Sequence, residues 1–298
     1  MKNLLYLFLA VSLFSCNSKE KQSQISDNKM PEEIRTDLYG SWVGSFIVAE
    51  RDTTQEVKEN FINKINISIK KITESEVTGQ SVVAGNIRPL KGEMTKKGKV
   101  IHFTLKEPGD DKNDGVFDFD VVNDTIISGI WIANNPKKEV RKRKFELVKK
   151  QFKYDPNLML PNNGSYIDYE NPKEEQVTYY ENEEDSINNK EAETYTESVY
   201  RMASESISNI NSSTKKLKES DIKNLKKIDL EILRNTIFAR HGLSFKTKKV
   251  RQFFDDVEWY IPVEANVDNK LTETEKQNIV LLKRFEKYAE DNYDSFGR

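Results

Sequence analysis

His241 lies in the stretch NTIFARHG (Asn235 to Gly242), is one of only two histidines in 298 residues, and Cys16 is the only cysteine. That scarcity bounds the chemistry. A histidine beside Arg240 can serve as a proton carrier, a ligand or a polar strut. Acid–base catalysis needs a reacting group within hydrogen-bond reach, and no G-x-S-x-G or H-E-x-x-H string is present. A lone His with no Cys or His cluster nearby is a poor start for a metal site. Glycoside hydrolysis needs two positioned carboxylates, and nothing pairs any two of the 49 acidic residues. The string DDKNDG (110 to 115) has the composition of a calcium loop. Lys112, however, stands where an oxygen ligand belongs, and no acidic residue closes the loop at its twelfth place. No cofactor or metal is indicated, and binding is a better reading than catalysis.

The single thiol has another use. Lys2 precedes an apolar run from Leu4 to Leu13, with Ser15 just before Cys16. This is a secretory signal, its core too short to remain as a membrane span. Leu13-Phe14-Ser15-Cys16 resembles a bacterial lipobox, which implies removal of residues 1–15 and lipidation of Cys16. Asn17 stands where an inner-membrane retention signal would put Asp, so outer-membrane sorting is expected. A chain with one Cys has no internal disulfide, so exported domains must stand on their own cores.

About 280 residues remain, more than one core usually holds, so two domains are expected. A net charge of −2 argues against a nucleic-acid binder, and 32% charged residues with mean hydropathy −0.73 describe well-solvated domains joined by polar connectors. Residues 16–36 are a Lys/Glu/Gln/Ser-rich flexible tether.

Between 37 and 150 the apolar period is two. Ile65, Ile67 and Ile69 alternate with Asn66, Ser68 and Lys70, and Ile101, Phe103 and Leu105 with His102, Thr104 and Lys106. Eight strands follow one another with no helical stretch between them, which predicts an antiparallel up-and-down barrel that leaves no open edge. The opening Gly40-Ser41-Trp42 resembles the G-x-W of lipocalin-like barrels, in which the Trp plugs one end. In such a meander alternate connections share a rim. Those after the odd-numbered strands are the elaborate ones, and they collect Asn86, Arg88, Asp110, Asp111, Asp114, Asn134 and Asn135. This is a candidate binding mouth, or a set of turn formers around a filled barrel. The last strand is basic, with eight cations in the fourteen residues 137–150. They can meet a polyanion or simply face the acidic segment that follows.

That segment, 151–211, has Pro156, Pro161, Gly164 and Pro172 as breakers, and from Tyr166 to Glu197 eleven acidic residues against two lysines. It is predicted to be a disordered acidic linker. Seven of the twelve tyrosines fall between Tyr154 and Tyr200, a density that suggests a docking surface.

Helical periods fill 212–298. Ser220, Asp229 and Thr247 are candidate caps, Gly242 is a left-handed stop, and Thr272 with Glu275 forms a capping box ahead of Ile279, Leu282 and Phe285. Phe238-Ala239-Arg240-His241-Gly242 resembles the signature of the YARHG domain, with Phe238 in place of its tyrosine. Arg234-Asn235, Phe245, Phe253, Trp259-Tyr260, Pro262, Leu271-Thr272, Glu275, Asn278-Ile279 and Lys283 extend the likeness. The resemblance implies an extracytoplasmic module appended to other envelope domains, with no established chemistry.

Two readings of His241 stand. It can belong to a buried network with Asn235, Arg234, Trp259 and Glu275, or it can face a groove with Arg240, Trp259 and Tyr260 that holds an anionic peptide or glycan. The expectation is an outer-membrane lipoprotein, periplasmic or surface-facing and held by the lipid on Cys16. It would act by binding a small molecule at the barrel mouth, an envelope polymer or partner through the YARHG domain, or both. The alternatives are an envelope enzyme acting on glycan or peptidoglycan and a structural tether or assembly factor.

Overall fold

A computed structural model describes residues 31–58, 60–162, 164, 166–179 and 193–292. Cys16 and the signal segment lie outside them. Eight strands run β1 Gly40–Arg51, β2 Ile62–Ile72, β3 Val77–Val83, β4 Asn86–Lys97, β5 Val100–Lys106, β6 Gly115–Asn123, β7 Ile126–Ala133 and β8 Val140–Lys150. Each pairs with the next, and β8 returns to β1, closing an antiparallel barrel. The predicted meander is therefore present, strand for strand.

The pleat decides what fills it, because residues at every second position share a face. Ile65, Ile67 and Ile69, Phe103 and Leu105, Phe117 and Phe119, and Phe145 and Leu147 all point inward and are buried. Aromatic rings meet inside the barrel: Phe103 stacks on its β6 register partner Phe119 at 5.2 Å, and Phe46 of β1 lies edge-on to Trp131 of β7 at 5.8 Å. Trp42 closes the plain rim. It is fully buried, its indole donates to the Leu38 carbonyl at 3.1 Å, and the Lys149 ammonium lies over its ring. Apolar side chains fill the middle of the barrel, and a cavity opens at the opposite, elaborate rim.

The connector departs from its predicted disorder wherever it is described. Residues 151–160 run into the helical part, where Leu160 and Tyr166 join its core and the Trp259 indole donates to the Met159 carbonyl. Strands β9 Ile167–Tyr179 and β10 Glu193–Met202 then form a two-stranded antiparallel hairpin. Residues 180–192 lie outside the described set. Average polarity concealed this order: a few apolar anchors and one buried ion pair, Asp168 with Arg201, hold an otherwise charged ribbon to the domain beside it.

The helical part begins earlier than 212, since a 3-10 turn at Glu205–Asn209 already puts Ile207 into the core. Four helices follow: α1 Glu219–Ile222, α2 Lys227–Arg240, α3 Lys248–Phe254 and α4 Glu273–Asn292. Ser220 falls inside α1 rather than capping it, and Asp229 sits in the first turn of α2, accepting from the Lys226 N–H at 2.9 Å and from Ser204. The Thr272/Glu275 box forms as predicted: Glu275 N donates to Thr272 Oγ1 at 3.2 Å and Thr272 N to Glu275 Oε2 at 2.9 Å. Gly242 ends α2 at φ +76°, and a Cβ there would sit 2.5 Å from a Val263 methyl carbon, so conformation and space both require glycine.

From Glu32 onward the chain is one unit, with the helical part packed on the outside of the barrel wall. Asn66 points outward from β2, is buried, and donates to the Pro262 carbonyl at 2.9 Å. Val43 and Val82 flank it in register and are buried as well. Lys64 donates to the Val257 carbonyl, its ammonium 5.6 Å from the Tyr260 ring centroid, and Gly85 N donates to Ser244 Oγ at 3.0 Å.

This seam carries a titration with a definite sign. Burial pushes the Asp255 carboxyl up to about 6, with the Lys64 N–H and the Arg251 and Lys64 charges pulling it back, and burial lowers Lys64 to about 8. A carboxyl whose folded value is raised binds its proton more tightly folded than unfolded. Stability therefore falls as pH rises from the ordinary 3.8 to about 6 and stays reduced above that. Asp255→Asn removes the buried charge and should raise stability by about 1–2 kcal/mol at pH 7.5, with no gain at pH 4. Urea unfolding at the two pH values checks this, and a loss at pH 7.5 would mean that the carboxylate is the favoured form.

Candidate functional site

At the elaborate rim the inward register continues past the apolar core into polar residues. Asn63 precedes Ile65 on β2, Glu107 follows Leu105 after β5, Arg143 precedes Phe145 on β8, and Asn86 and Arg88 precede Leu90 on β4. The pleat alone aims these side chains at the lumen. Asn63, Asn86, Glu107 and Arg143 line a cavity of about 210 Å³ whose apolar floor is Phe46, Phe117 and Trp131, and Arg88 stands outside it. A cavity of about 150 Å³ accommodates benzene, so this cup takes a ligand on the order of ten non-hydrogen atoms.

The two buried charges in the cup are held by protein groups. Glu107 accepts from Ser81 Oγ at 2.8 Å, Gly115 N at 2.7 Å and the Trp131 indole at 3.2 Å. Burial nevertheless raises its pKa above the usual carboxylate value. Arg143 donates to the carbonyls of Phe46 and Asn60 at 3.0 Å and lies over the Phe46 ring. Further out, Lys58, Lys138 and Arg251 line the opening, with Lys138 over the Trp131 ring. Among the described lining residues four are cations and one, Glu107, is acidic, a charge set suited to an anion. Asn63 is 6% exposed, and its Oδ1 is buried without a hydrogen-bond partner. Buried side-chain oxygens are nearly always bonded, so this amide marks a place where another polar group belongs.

The predicted mouth residues separate into two groups. Asn86 lines the cavity. Arg88 instead forks onto Asp114, Nε to Oδ1 at 2.9 Å and a terminal nitrogen to Oδ2 at 2.7 Å, and also reaches Asp110. Burial raises the Asp114 carboxyl, but Arg88 and the N–H groups of Gly109 and Asp111 outweigh it and hold the pKa below its ordinary value. Asp111 accepts from Asn113 N within the same loop. These four residues brace the 107–114 loop beside the cup.

The other predicted cluster turns inward. Arg240 is fully buried, donating to the Leu158 carbonyl at 2.8 Å and to Ser213 Oγ at 2.9 Å. His241 Nε2 lies 2.8 Å from Glu275 Oε2, and its ring stacks on Tyr154 at 4.2 Å. Tyr260 is buried and donates to the Leu243 carbonyl, while Trp259 is tied to Met159. Arg240, His241, Trp259 and Tyr260 thus join α2, the 257–263 turn, α4 and the incoming connector. Tyr154, Leu158 and Ser213, which complete the network, come from the acidic connector and its border with the helical part.

Glu107, Asn63, Lys58 and Arg251 were not singled out from the sequence, and Lys138 and Arg143 entered only as members of the basic run 137–150. A signal existed for three of them: a polar residue at the rim end of an otherwise apolar inward register. Nothing local points to Arg251, which arrives from the other domain.

Residues 205–287 match the family model of the YARHG domain, a module typical of extracellular and envelope proteins. No curated protein and no solved structure matches the chain.

Proposed function

We propose that this is a lipid-anchored cell-envelope protein that binds a small anionic molecule in the barrel mouth. The observation that carries the reading is Asn63 Oδ1, buried and unpartnered in a cup lined by Lys58, Lys138, Arg143 and Arg251 over an aromatic floor. An anion with a hydroxyl or amide group fits that chemistry: the cations take the charge, Asn63 takes the donor, and Phe46, Phe117 and Trp131 take the apolar body. A tether or assembly factor is the second reading, favoured by the solid barrel below the cup.

Mass spectrometry of the protein isolated from membranes without denaturation should find a small acid in near-stoichiometric amount. Reversing the rim charges with Lys58→Glu and Lys138→Glu should reduce its recovery at least tenfold with the melting temperature unchanged. If no small molecule accompanies the parent, the tether reading replaces this one. The anchor is tested separately. Cys16→Ala should abolish incorporation of a fatty-acid label and move the protein from the membrane to the soluble fraction, and continued labelling would remove the lipoprotein assignment.

A further inference from the structure

The cup is not made by the barrel alone. Arg251, on α3 of the helical domain, lines it alongside Lys58 and Asn63. The guanidinium is positioned by a bond from a terminal nitrogen to the Lys246 carbonyl, while its Nε is buried without a partner. Lys246 is itself pressed against the β3–β4 turn: a Cβ on Gly85, already at φ +79°, would come within 2.7 Å of the Lys246 Cα. The backbone that carries Arg251 therefore meets the rim at van der Waals contact.

Among the described residues, six buried side-chain polar atoms lack a hydrogen-bond partner. Four of them belong to Asn63 at the cup and to Asn66, Arg251 and Asp255 along the seam between barrel and helical domain. A permanent interface of this kind would bond such groups or replace them with apolar ones. Their concentration on one seam, next to a cavity lined from both sides, marks a contact whose polar balance is completed by something else.

Resting on the anion-binding reading above, we infer that the ligand bridges the two domains: its acidic group sits between Arg251 and the barrel cations, so that binding and docking of the YARHG domain on the barrel strengthen each other. Linkage makes the effect reciprocal. An anion that contacts Arg251 only in the docked arrangement favours that arrangement by its differential affinity.

The test uses the chain from residue 17 onward, with inorganic phosphate and succinate as probe anions. Affinity is read by calorimetry and seam opening by hydrogen exchange of the segments around Gly85 and residues 243–264. For the parent, a saturating probe should slow seam exchange about tenfold. Arg251→Ala should bind about tenfold more weakly and lose that protection, and Arg251→Lys, which keeps the charge, should recover most of both. A Lys58→Glu variant should lose affinity yet retain protection once saturated. If Arg251→Ala binds as the parent does, or if binding leaves seam exchange unchanged, the bridging inference falls while the mouth site stands. If neither anion binds the parent at millimolar concentration, the anion reading and the bridge fall together.

Discussion

Glu275→Ala should destabilise the helical domain by about 3–5 kcal/mol, the largest single loss expected among its polar residues. Glu275 is fully buried and accepts four hydrogen bonds from three residues. Its Oε2 accepts from Thr272 N at 2.9 Å, from Thr272 Oγ1 at 3.1 Å and from His241 at 2.8 Å, and Oε1 accepts from the Tyr154 hydroxyl at 3.1 Å. Alanine removes the N-terminal box of α4 and leaves His241 and Tyr154 unpaired inside a small core. The carboxylate also fixes a pH dependence. Burial alone would raise its pKa, but the bonds from His241 and Thr272 hold it at about 2, below the ordinary 4.5. A depressed folded value means that its contribution is present above pH 4.5 and is lost as pH falls from there toward 2. Urea unfolding of the parent and of Glu275→Ala should therefore converge at acid pH. His241→Ala should cost about 1–3 kcal/mol at pH 7, since it removes one of the partners and the ring stacked on Tyr154. A His241→Ala protein as stable as its parent would contradict the strut assignment and return His241 to the list of ligand contacts.

The second large effect concerns the hairpin. Arg201→Met should cost about 3–5 kcal/mol of local stability, because Asp168, fully buried, loses the guanidinium that neutralises it. Burial pushes the Asp168 carboxyl up, while Arg201, Gln252 and Asn171 outweigh it and keep its pKa below the ordinary value. Two-stranded ribbons are marginal by themselves in water, and few apolar residues hold this one. Amides of β9 and β10 should then exchange nearly as fast as in an unfolded peptide while those of β1–β8 keep their protection. Combining Asp168→Leu with Arg201→Met should restore much of the protection, since an apolar pair of similar size needs no desolvation of charge. Loss of protection spreading through the barrel would show instead that the hairpin supports the whole fold.

Strand count, strand order and the identity of the elaborate rim were legible because each depends only on near neighbours in sequence. Alternation of Ile65, Ile67 and Ile69 with polar residues admits one pleat and one inward face. A run of strands with short connections admits few topologies. The Thr272/Glu275 box and the Gly242 stop are likewise local, and the YARHG likeness carried the helical domain. Three decisions were not local. The order of the connector depends on Tyr154, Leu158, Leu160 and Tyr166 finding a core elsewhere in the chain, which average polarity does not register. The role of His241 depends on Glu275, 34 positions away, whose carboxylate converts a residue of suggestive chemistry into a buried partner. The mouth depends on which polar residues pair with one another. Arg88, Asp110 and Asp114 neutralise each other beside the cup, whereas Arg251 crosses from the other domain to line it. Charge in a sequence has no address until folding brings its partners together, because hydrogen bonds form only within a few ångströms and salt screens exposed charges beyond about 10 Å.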